Sequence, residues 1–224
     1  MGLKTAGSTR FLRLTRPAVF AALFLVAGCA DLPVAAPMFP PDAWPDESGK
    51  SSPRVEVSNE DWFGKPLRAM KDKDLWSAPP PPNTRRIVRL TLLPTWEPAA
   101  TMRLFENHNG GLRFTFKQLN GSGGYAPGRL VNTAEGHAPA ADARRIAELL
   151  NRHAPTWSDL PSTLAKPEIV CTDGTIVVLE LSDADAYKVI ARHECNLPEG
   201  APLRDLVSLL DNLSGGLLVA PMTF

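Results

Sequence analysis

Proline is unevenly distributed along this chain, and its distribution limits where regular structure can form. Residues 30–84 hold eleven of the 22 prolines, including the run Pro79-Pro80-Pro81-Pro82. Proline removes a backbone hydrogen-bond donor and disfavours helix at the residue before it. A run of four prolines favours the extended polyproline II conformation. We therefore predict an extended, largely disordered tether over residues 29–84, followed by a single folded domain over residues 85–224.

The first 28 residues have the pattern of a cleaved secretory signal. Four cations and no anion precede an apolar run at residues 17–28, which is about a dozen residues long. A membrane-spanning helix needs roughly twenty apolar residues, so this run is too short to span a bilayer. Its length and basic flank are typical of a signal peptide over residues 1–28.

The signal ends in Leu25-Val26-Ala27-Gly28-Cys29, with small residues at the two positions before the cysteine. This ending resembles the lipobox of bacterial lipoproteins, and the resemblance covers residues 1–29. It implies a diacylglycerol thioether on Cys29, cleavage before that residue and acylation of the new amine, so that several acyl chains anchor the protein stably. Ala30 follows the cysteine where Asp would favour inner-membrane retention, so the outer membrane is favoured. The alternative is an ordinary signal peptide or a buried apolar segment with an incidental cysteine.

The charge of the chain changes when the signal is removed. The whole chain carries 24 basic and 24 acidic residues, and four of the basic residues lie in the first 28 positions. The mature chain is therefore mildly acidic, which gives no electrostatic support for binding phosphates, and we predict no nucleic-acid partner. We interpret Arg85, Arg86 and Arg89 as a solvated edge beside a strand.

A group of large apolar residues interrupts the polar tether. Its members are Trp62, Phe63, Leu67, Met70, Leu75 and Trp76. In the first interpretation, this island docks on the surface of the domain itself. In the second, Trp62, Phe63 and Trp76 form a short motif that binds a partner. Ordinary disorder is the third possibility.

The patterns from Arg86 onward predict an α+β fold. Leu112, Phe114 and Phe116 alternate with polar residues, as in a half-buried antiparallel strand. A helix is predicted from Pro139 to just before Pro155, and a second from Pro202 to the Ser214-Gly215-Gly216 end. We predict an antiparallel sheet of about five strands in the order βββ-α-ββ-α, with both helices packed on one face. The predicted strands lie at 87–93, 102–106, 112–117, 175–181 and 186–192.

Two cysteines remain if Cys29 carries lipid. A hairpin turning about Asp183-Ala184 would set Val178 against Val189, and its extension would place Cys171 within one residue of Cys195. We predict a disulfide between Cys171 and Cys195, since the compartment is oxidising. Closing a loop of about 25 residues would contribute roughly 3 kcal/mol.

More reactive interpretations of these cysteines are weaker. Cys195 and His193 lie at i and i+2, so a catalytic thiol is conceivable, but no Asn or Asp is evident to orient the imidazole. A zinc site from Cys171, His193 and Cys195 lacks a fourth ligand. The glycines of residues 121–124 lack the Lys-Ser/Thr of a phosphate loop and predict a flexible connection. We therefore predict no catalytic residue, metal or cofactor.

The folded part resembles only uncharacterised small domains of bacterial envelope proteins. The similarity rests on residues 121–125, Asp173-Gly174, Leu179-Glu180 and residues 187–192, and it implies no activity. We predict a lipid-anchored envelope protein facing the periplasm, whose α+β domain binds an envelope protein or wall component or has a structural role. The alternatives are an envelope hydrolase with an unrecognised site, or an inhibitor of a lytic enzyme that acts through a protruding loop at residues 120–128.

Overall fold

The computed structural model describes residues 36–44, 60–123, 125–159, 173–197 and 201–218. These residues belong to one compact unit, Ala36–Phe224. The strands are β1 (Thr84–Pro94), β2 (Ala100–Asn107), β3 (Leu112–Leu119), β4 (Leu130–His137), β5 (Thr175–Asp183) and β6 (Tyr187–His193). The α-helices are α1 (Lys65–Ala69), α2 (Ala140–Asp159) and α3 (Pro202–Ser214), with a π-helical turn at Glu60–Gly64 and a 3-10 turn at Glu194–Asn196.

The strands form one antiparallel sheet in the order β4-β3-β2-β1-β5-β6. The predicted α+β class is confirmed, with six strands among the described residues where about five were expected. The additional strand is β4, which lies in a stretch that the sequence analysis left without regular structure. The central strand β1 pairs with both β2 and β5, so it is buried along most of its length.

One face of the sheet packs against α2 and α3, as predicted. Val88, Leu90 and Leu92 of β1 are buried in this core together with Ile146 of α2 and Leu206 of α3. Fully burying an aliphatic side chain of this size contributes about 1.5–3 kcal/mol. The alternation of apolar residues along β1 therefore fixes which face carries the two longer helices.

The opposite face of the sheet is covered by chain that the sequence analysis assigned to the tether. Met38, Phe39, Trp44 and Phe63 are buried there in a second core against the sheet. The Trp44 ring lies 5.0 Å from the Phe39 ring and 4.9 Å from the Phe63 ring. The predicted tether of residues 29–84 therefore does not hold for the described part of that range. Large apolar side chains in a Pro-rich segment bury enough surface to offset the entropy of ordering the backbone.

We call the chain that covers this face, described over residues 36–44 and 60–76, the cover. It turns sharply after α1, and the turn directs the carboxylate of Asp72 towards the sheet. The Asp72 N–H donates to the Leu67 carbonyl at 2.9 Å, and the Lys71 N–H donates to the Arg68 carbonyl at 2.9 Å. This pattern is a Schellman helix end, with Lys71 in the left-handed position at a φ of 53°. A non-glycine residue is strained there, and the ion pairs of Asp72 described below help to hold the turn.

Two details of the predicted elements are corrected. Helix α2 does not stop before Pro155 but continues to Asp159, and Trp157 beyond the proline is buried in the main core. The β5–β6 hairpin turns at Ala184-Asp185, because the Asp183 carboxylate accepts the backbone N–H groups of Asp185 and Ala186 at 3.0 and 2.9 Å. The prediction that α3 ends at Ser214 is confirmed, with Gly215 left-handed at a φ of 73°.

Candidate binding surface

A cluster of charged side chains lies on the covered face of the sheet. Arg89 is fully buried at the centre of β1. Its Nε donates to Glu180 Oε2 at 2.5 Å and its Nη2 donates to Glu180 Oε1 at 2.6 Å. This bidentate arrangement is the strongest geometry for such a pair. The Tyr187 hydroxyl donates to Glu180 Oε1 at 2.8 Å, so both oxygens of this carboxylate are occupied.

Asp72 ties the cover to the same cluster. Its Oδ2 accepts from Arg89 Nη1 at 3.2 Å. Its Oδ1 accepts from Arg103 Nη2 at 2.7 Å and from Lys117 Nζ at 3.2 Å. Burial would raise the pKa of Asp72, but Arg103, Arg89 and Lys117 outweigh burial and lower that pKa below its ordinary value of 3.8. Arg89 and Arg103 also donate to the Lys73 carbonyl at 2.6 and 2.9 Å.

The geometry of this charge cluster suits holding the cover rather than acting on a substrate. Each carboxylate oxygen of Asp72 and Glu180 already accepts a hydrogen bond from a cation. A general base needs an oxygen within hydrogen-bond reach of a substrate proton. Burial would lower the pKa of Arg89, but Glu180 outweighs it and raises that pKa above its ordinary value, so the guanidinium stays charged. The cluster therefore joins five strands, β1, β2, β3, β5 and β6, to the segment after α1.

The predicted solvated arginine edge is wrong. Arg89 lies in the charge cluster, and Arg86 is buried on the helix-covered face. Arg86 Nε and Nη2 donate to Glu106 Oε2 at 3.0 and 2.6 Å. Only Arg85 keeps a largely accessible side chain, with 44% of it exposed. Central position in the sheet outweighs charge here, because each buried cation has a carboxylate on a neighbouring strand.

Three aromatic rings meet at the end of the sheet where β1 ends. The rings of Trp62 and Tyr125 contact edge to face with centroids 4.7 Å apart. The rings of Tyr125 and Trp96 are nearly parallel with centroids 6.4 Å apart. Trp96 is 70% exposed and Tyr125 is 60% exposed. We call these three residues the aromatic patch, because clustered aromatic surface left open to water is typical of interaction sites.

The loop that carries Tyr125 is held in place by close backbone contacts. The Gly123 N–H donates to the Glu97 carbonyl at 2.9 Å. A Cβ on Gly123 would lie 1.7 Å from the Pro94 carbonyl oxygen, so glycine is required at this approach. The Ser122 N–H also donates to the Ala126 carbonyl at 2.9 Å. Gly121 and Gly123 therefore serve tight packing rather than the flexible connection that was predicted, and the loop supports Tyr125.

Strand β4 forms one edge of the sheet and extends beyond the layers that cover the other strands. Residues 131–135 are all exposed, and Val131 is 46% exposed. The opposite edge strand, β6, is buried at Val189, Ile190 and Ala191. Of the two sheet edges, β4 is therefore the one that is open on both faces.

The pairing of β3 with β4 fixes which backbone groups of β4 point away from the sheet. The Ala138 N–H, just after β4, donates to the Leu112 carbonyl at 2.9 Å. Since antiparallel pairs alternate between bonded and non-bonded positions, every second residue of β4 directs its N–H and C=O outward. Among the described strands, none pairs with this outer edge. The residues with outward backbone groups are Thr133, Glu135 and His137.

The apolar island of the sequence docks on the domain, so the first interpretation is confirmed. Phe63 and Leu67 are buried in the second core, while Trp76 is half-buried and its Nε1 donates to the Pro37 carbonyl at 3.4 Å. Among the three residues of the predicted partner-binding motif, Trp62 belongs to the aromatic patch and contacts Tyr125. The sequence analysis did not identify Trp96, and it included Tyr125 only within the loop at residues 120–128 of the inhibitor alternative, although both are aromatic residues in Pro- and Gly-rich loops.

The cysteine predictions fall mainly outside the described residues. Cys29 and Cys171 lie outside them, and Cys195 lies in the 3-10 turn after β6. The predicted register is wrong by two residues, since Val178 pairs with Ala191. β5 begins at Thr175, so the predicted position of Cys171 beyond this hairpin lies outside the described residues. Cys195 forms a disulfide, and Cys171 as its partner stays a prediction.

Neither alternative considered at His193, a catalytic thiol or a zinc site, gains a further residue from the described part of the chain. The Cys195 N–H donates to His193 Nδ1 at 3.3 Å, which is a local helix cap. Within the described ranges, no group of three or more His, Cys, Asp or Glu residues could hold a metal ion. None of the helices described above is both long and apolar enough to cross a membrane.

No family model matches the chain, and a search of curated proteins found no significant match.

Proposed function

We propose that this chain is a lipid-anchored bacterial envelope protein whose α+β domain is a non-catalytic binding module. The observation that carries the proposal is the aromatic patch, in which Trp96 and Tyr125 are mostly exposed on two neighbouring loops joined by the hydrogen bond from the Gly123 N–H to the Glu97 carbonyl. Tryptophan and tyrosine are the residues most enriched among binding hot spots. Because the support is already ordered, little conformational entropy is lost when a partner binds.

The anchor is proposed from the sequence. The basic start, the short apolar run and the Ala27-Gly28-Cys29 ending agree with one another, and lipid on Cys29 would place the domain on the periplasmic side of a membrane. The outer membrane is proposed in preference to the inner membrane because Ala30 follows the cysteine. Intact-mass analysis of the mature protein tests this part, and an unmodified Cys29 would contradict it.

The non-catalytic character is supported by the charge cluster. Its buried carboxylates belong to Asp72 and Glu180, and all of their oxygens accept hydrogen bonds. The donors are Arg89, Arg103, Lys117 and Tyr187. Such a network is suited to fixing one packed arrangement of the chain. The hydrolase alternative gains no support from this cluster, although the cluster contains Glu180, whose side chain is fully buried.

In-cell crosslinking tests the binding role. The full-length chain is expressed in its native host with a photoreactive side chain in place of Trp96, and light should produce a heavier adduct. Tyr125→Ala should weaken the adduct strongly, since truncating a hot-spot aromatic costs about 2 kcal/mol or more. Digestion with a protease or with a muramidase tells a protein partner from wall glycan.

The matched control places the same photoreactive group at Leu217, which is 47% exposed at the end of α3. The aromatic patch should crosslink at much higher yield than this control position. Equal yields from the two positions, or no adduct from Trp96 in lipidated protein, would refute the proposal.

A further inference from the structure

We propose that the outer edge of β4 binds an extended polypeptide segment of the envelope partner as an added strand. This inference rests on the proposed binding function and names the chemical class of its partner. It excludes wall glycan and lipid as the molecules that occupy this edge.

The first argument is the row of backbone groups on β4. Thr133, Glu135 and His137 each direct an N–H and a C=O outward, at intervals of about 6.8 Å along the strand. Another extended polypeptide repeats donors and acceptors at the same interval, so it can satisfy the whole row. A sugar chain carries no such alternation of main-chain amides, and a lipid headgroup would satisfy only one or two positions.

The second argument is that β4 lacks the features that usually protect a sheet edge. Natural edge strands are commonly blocked by lysine, proline, a bulge or a covering segment. Strand β4 contains neither lysine nor proline, and its register irregularity lies between Leu130 and Asn132, just before the first residue of the outward row. Its side chains are exposed on both faces, so an added strand would meet no steric obstacle.

A packing contact at Gly136 also supports the pairing of β4 with β3. Gly136 pairs with Phe114 of β3, and a Cβ on Gly136 would lie 3.1 Å from the Phe114 ring. The ring therefore covers the glycine, which stabilises a strand position that would otherwise be weak. This contact keeps the last residues of β4, those nearest to α2, in regular strand pairing with β3.

The third argument is continuity with the aromatic patch. The loop that carries Tyr125 runs directly into β4, and Leu130 at the start of β4 packs against the same core as Trp62. A segment paired with β4 that continues past Leu130 would leave the sheet beside the loop that carries Tyr125. Main-chain hydrogen bonds would supply the register and the aromatic rings would supply an apolar anchor.

The experiment uses full-length lipidated protein in native cells, with a photoreactive side chain in place of Val131. The expected result is a protease-sensitive, muramidase-resistant adduct with another protein. Thr133→Pro and Glu135→Pro each remove one outward N–H and keep the bonds to β3, so each should abolish the adduct. Thr133→Val changes the same side chain but keeps its N–H, and it should crosslink at the wild-type yield.

Hydrogen exchange on the unsubstituted protein gives a second readout if the proline variants fold poorly. The amides of Thr133, Glu135 and His137 should exchange rapidly in the purified protein and become protected in envelopes that contain the partner. Unchanged exchange would overturn the proposal. So would an adduct that survives in well-folded proline variants, that muramidase digests, or that proves to be a second copy of this chain.

The two proposals fail in distinguishable ways. An adduct from Trp96 without any adduct from Val131 refutes strand addition and leaves the binding role intact. Absence of adducts from both positions refutes both.

Discussion

At the scale of single residues, Tyr187 makes the stability that the charge cluster contributes depend on pH. Burial and the neighbouring Glu180 carboxylate raise the pKa of Tyr187 well above its ordinary value of 10.0. The unfolded chain releases this proton first as the pH rises. The stabilising contribution of Tyr187 is therefore fully present below about pH 10 and is lost at higher pH.

We predict that the free energy of unfolding falls more steeply above pH 10 in the wild type than in Tyr187→Phe. The slope difference should approach about 1.4 kcal/mol per pH unit between the unfolded and folded pKa values. The variant should also be less stable at neutral pH, by about 1.5–3 kcal/mol, because Glu180 loses one donor. Denaturant unfolding from pH 8 to 11 measures both effects. Tyr125 is present in both proteins as the internal control, and parallel curves would contradict the prediction.

At the scale of elements, the sequence predicts those strands that have at least one buried face. Strand β3 alternates Leu112, Phe114 and Phe116 with polar residues, and it was predicted with bounds close to the observed ones. Strand β4 was missed for a physical reason. Both of its faces are in water, so no apolar period is imposed on its sequence. The exposure of both faces explains why the sequence pattern did not predict β4. The same exposure leaves the edge of β4 open for a partner.

The covering segment was misassigned for a different reason. Its prolines indicate extended chain, whereas its ordering depends on tertiary contacts that no local pattern encodes. Asp72 contacts both Arg89 on β1 and Lys117 on β3 because only β2 separates these two strands in the folded sheet. The apolar island could be recognised from the sequence, but its docking partner and the ion pairs that fix it could not.

Asp72→Asn should detach the cover from the sheet. The variant leaves Arg89, Arg103 and Lys117 facing one carboxylate, which should lower the free energy of unfolding by about 3 kcal/mol. Wild-type protein should lose the same contribution as the pH falls below about 4, because the pKa of Asp72 is lowered in the folded state. Limited proteolysis and hydrogen exchange across residues 60–76 measure the detachment.

The neighbouring change Asp74→Asn is the matched control, since Asp74 forms no ion pair among the described residues. It should behave like the wild type in each of these measurements. If Asp72→Asn were as stable and as protected as Asp74→Asn, the charge cluster would not hold the cover.

At the scale of the whole molecule, the docked cover changes the expected distance between anchor and domain. A flexible tether of 55 residues would have a root-mean-square length of about 40 Å. The described fold instead begins at Ala36, seven residues after Cys29. Even fully extended, seven residues span at most about 25 Å. If Cys29 carries lipid, the domain is therefore held close to the membrane rather than lifted away from it.

Energy transfer in vesicles tests this distance. A fluorescent amino acid replaces Asp42, which is exposed in the covering segment, and the lipid headgroups carry the acceptor. Lipidated protein should show efficient transfer, and inserting a flexible linker of about 30 residues between positions 35 and 36 should reduce it, because the root-mean-square length grows as the square root of the linker length. Equal transfer in the two proteins would mean that residues 36–44 leave the sheet when the anchor is in the membrane. In that case the cover would act as a releasable part of the tether, and the buried aromatic rings of Phe39 and Trp44 would become accessible to quenchers in solution.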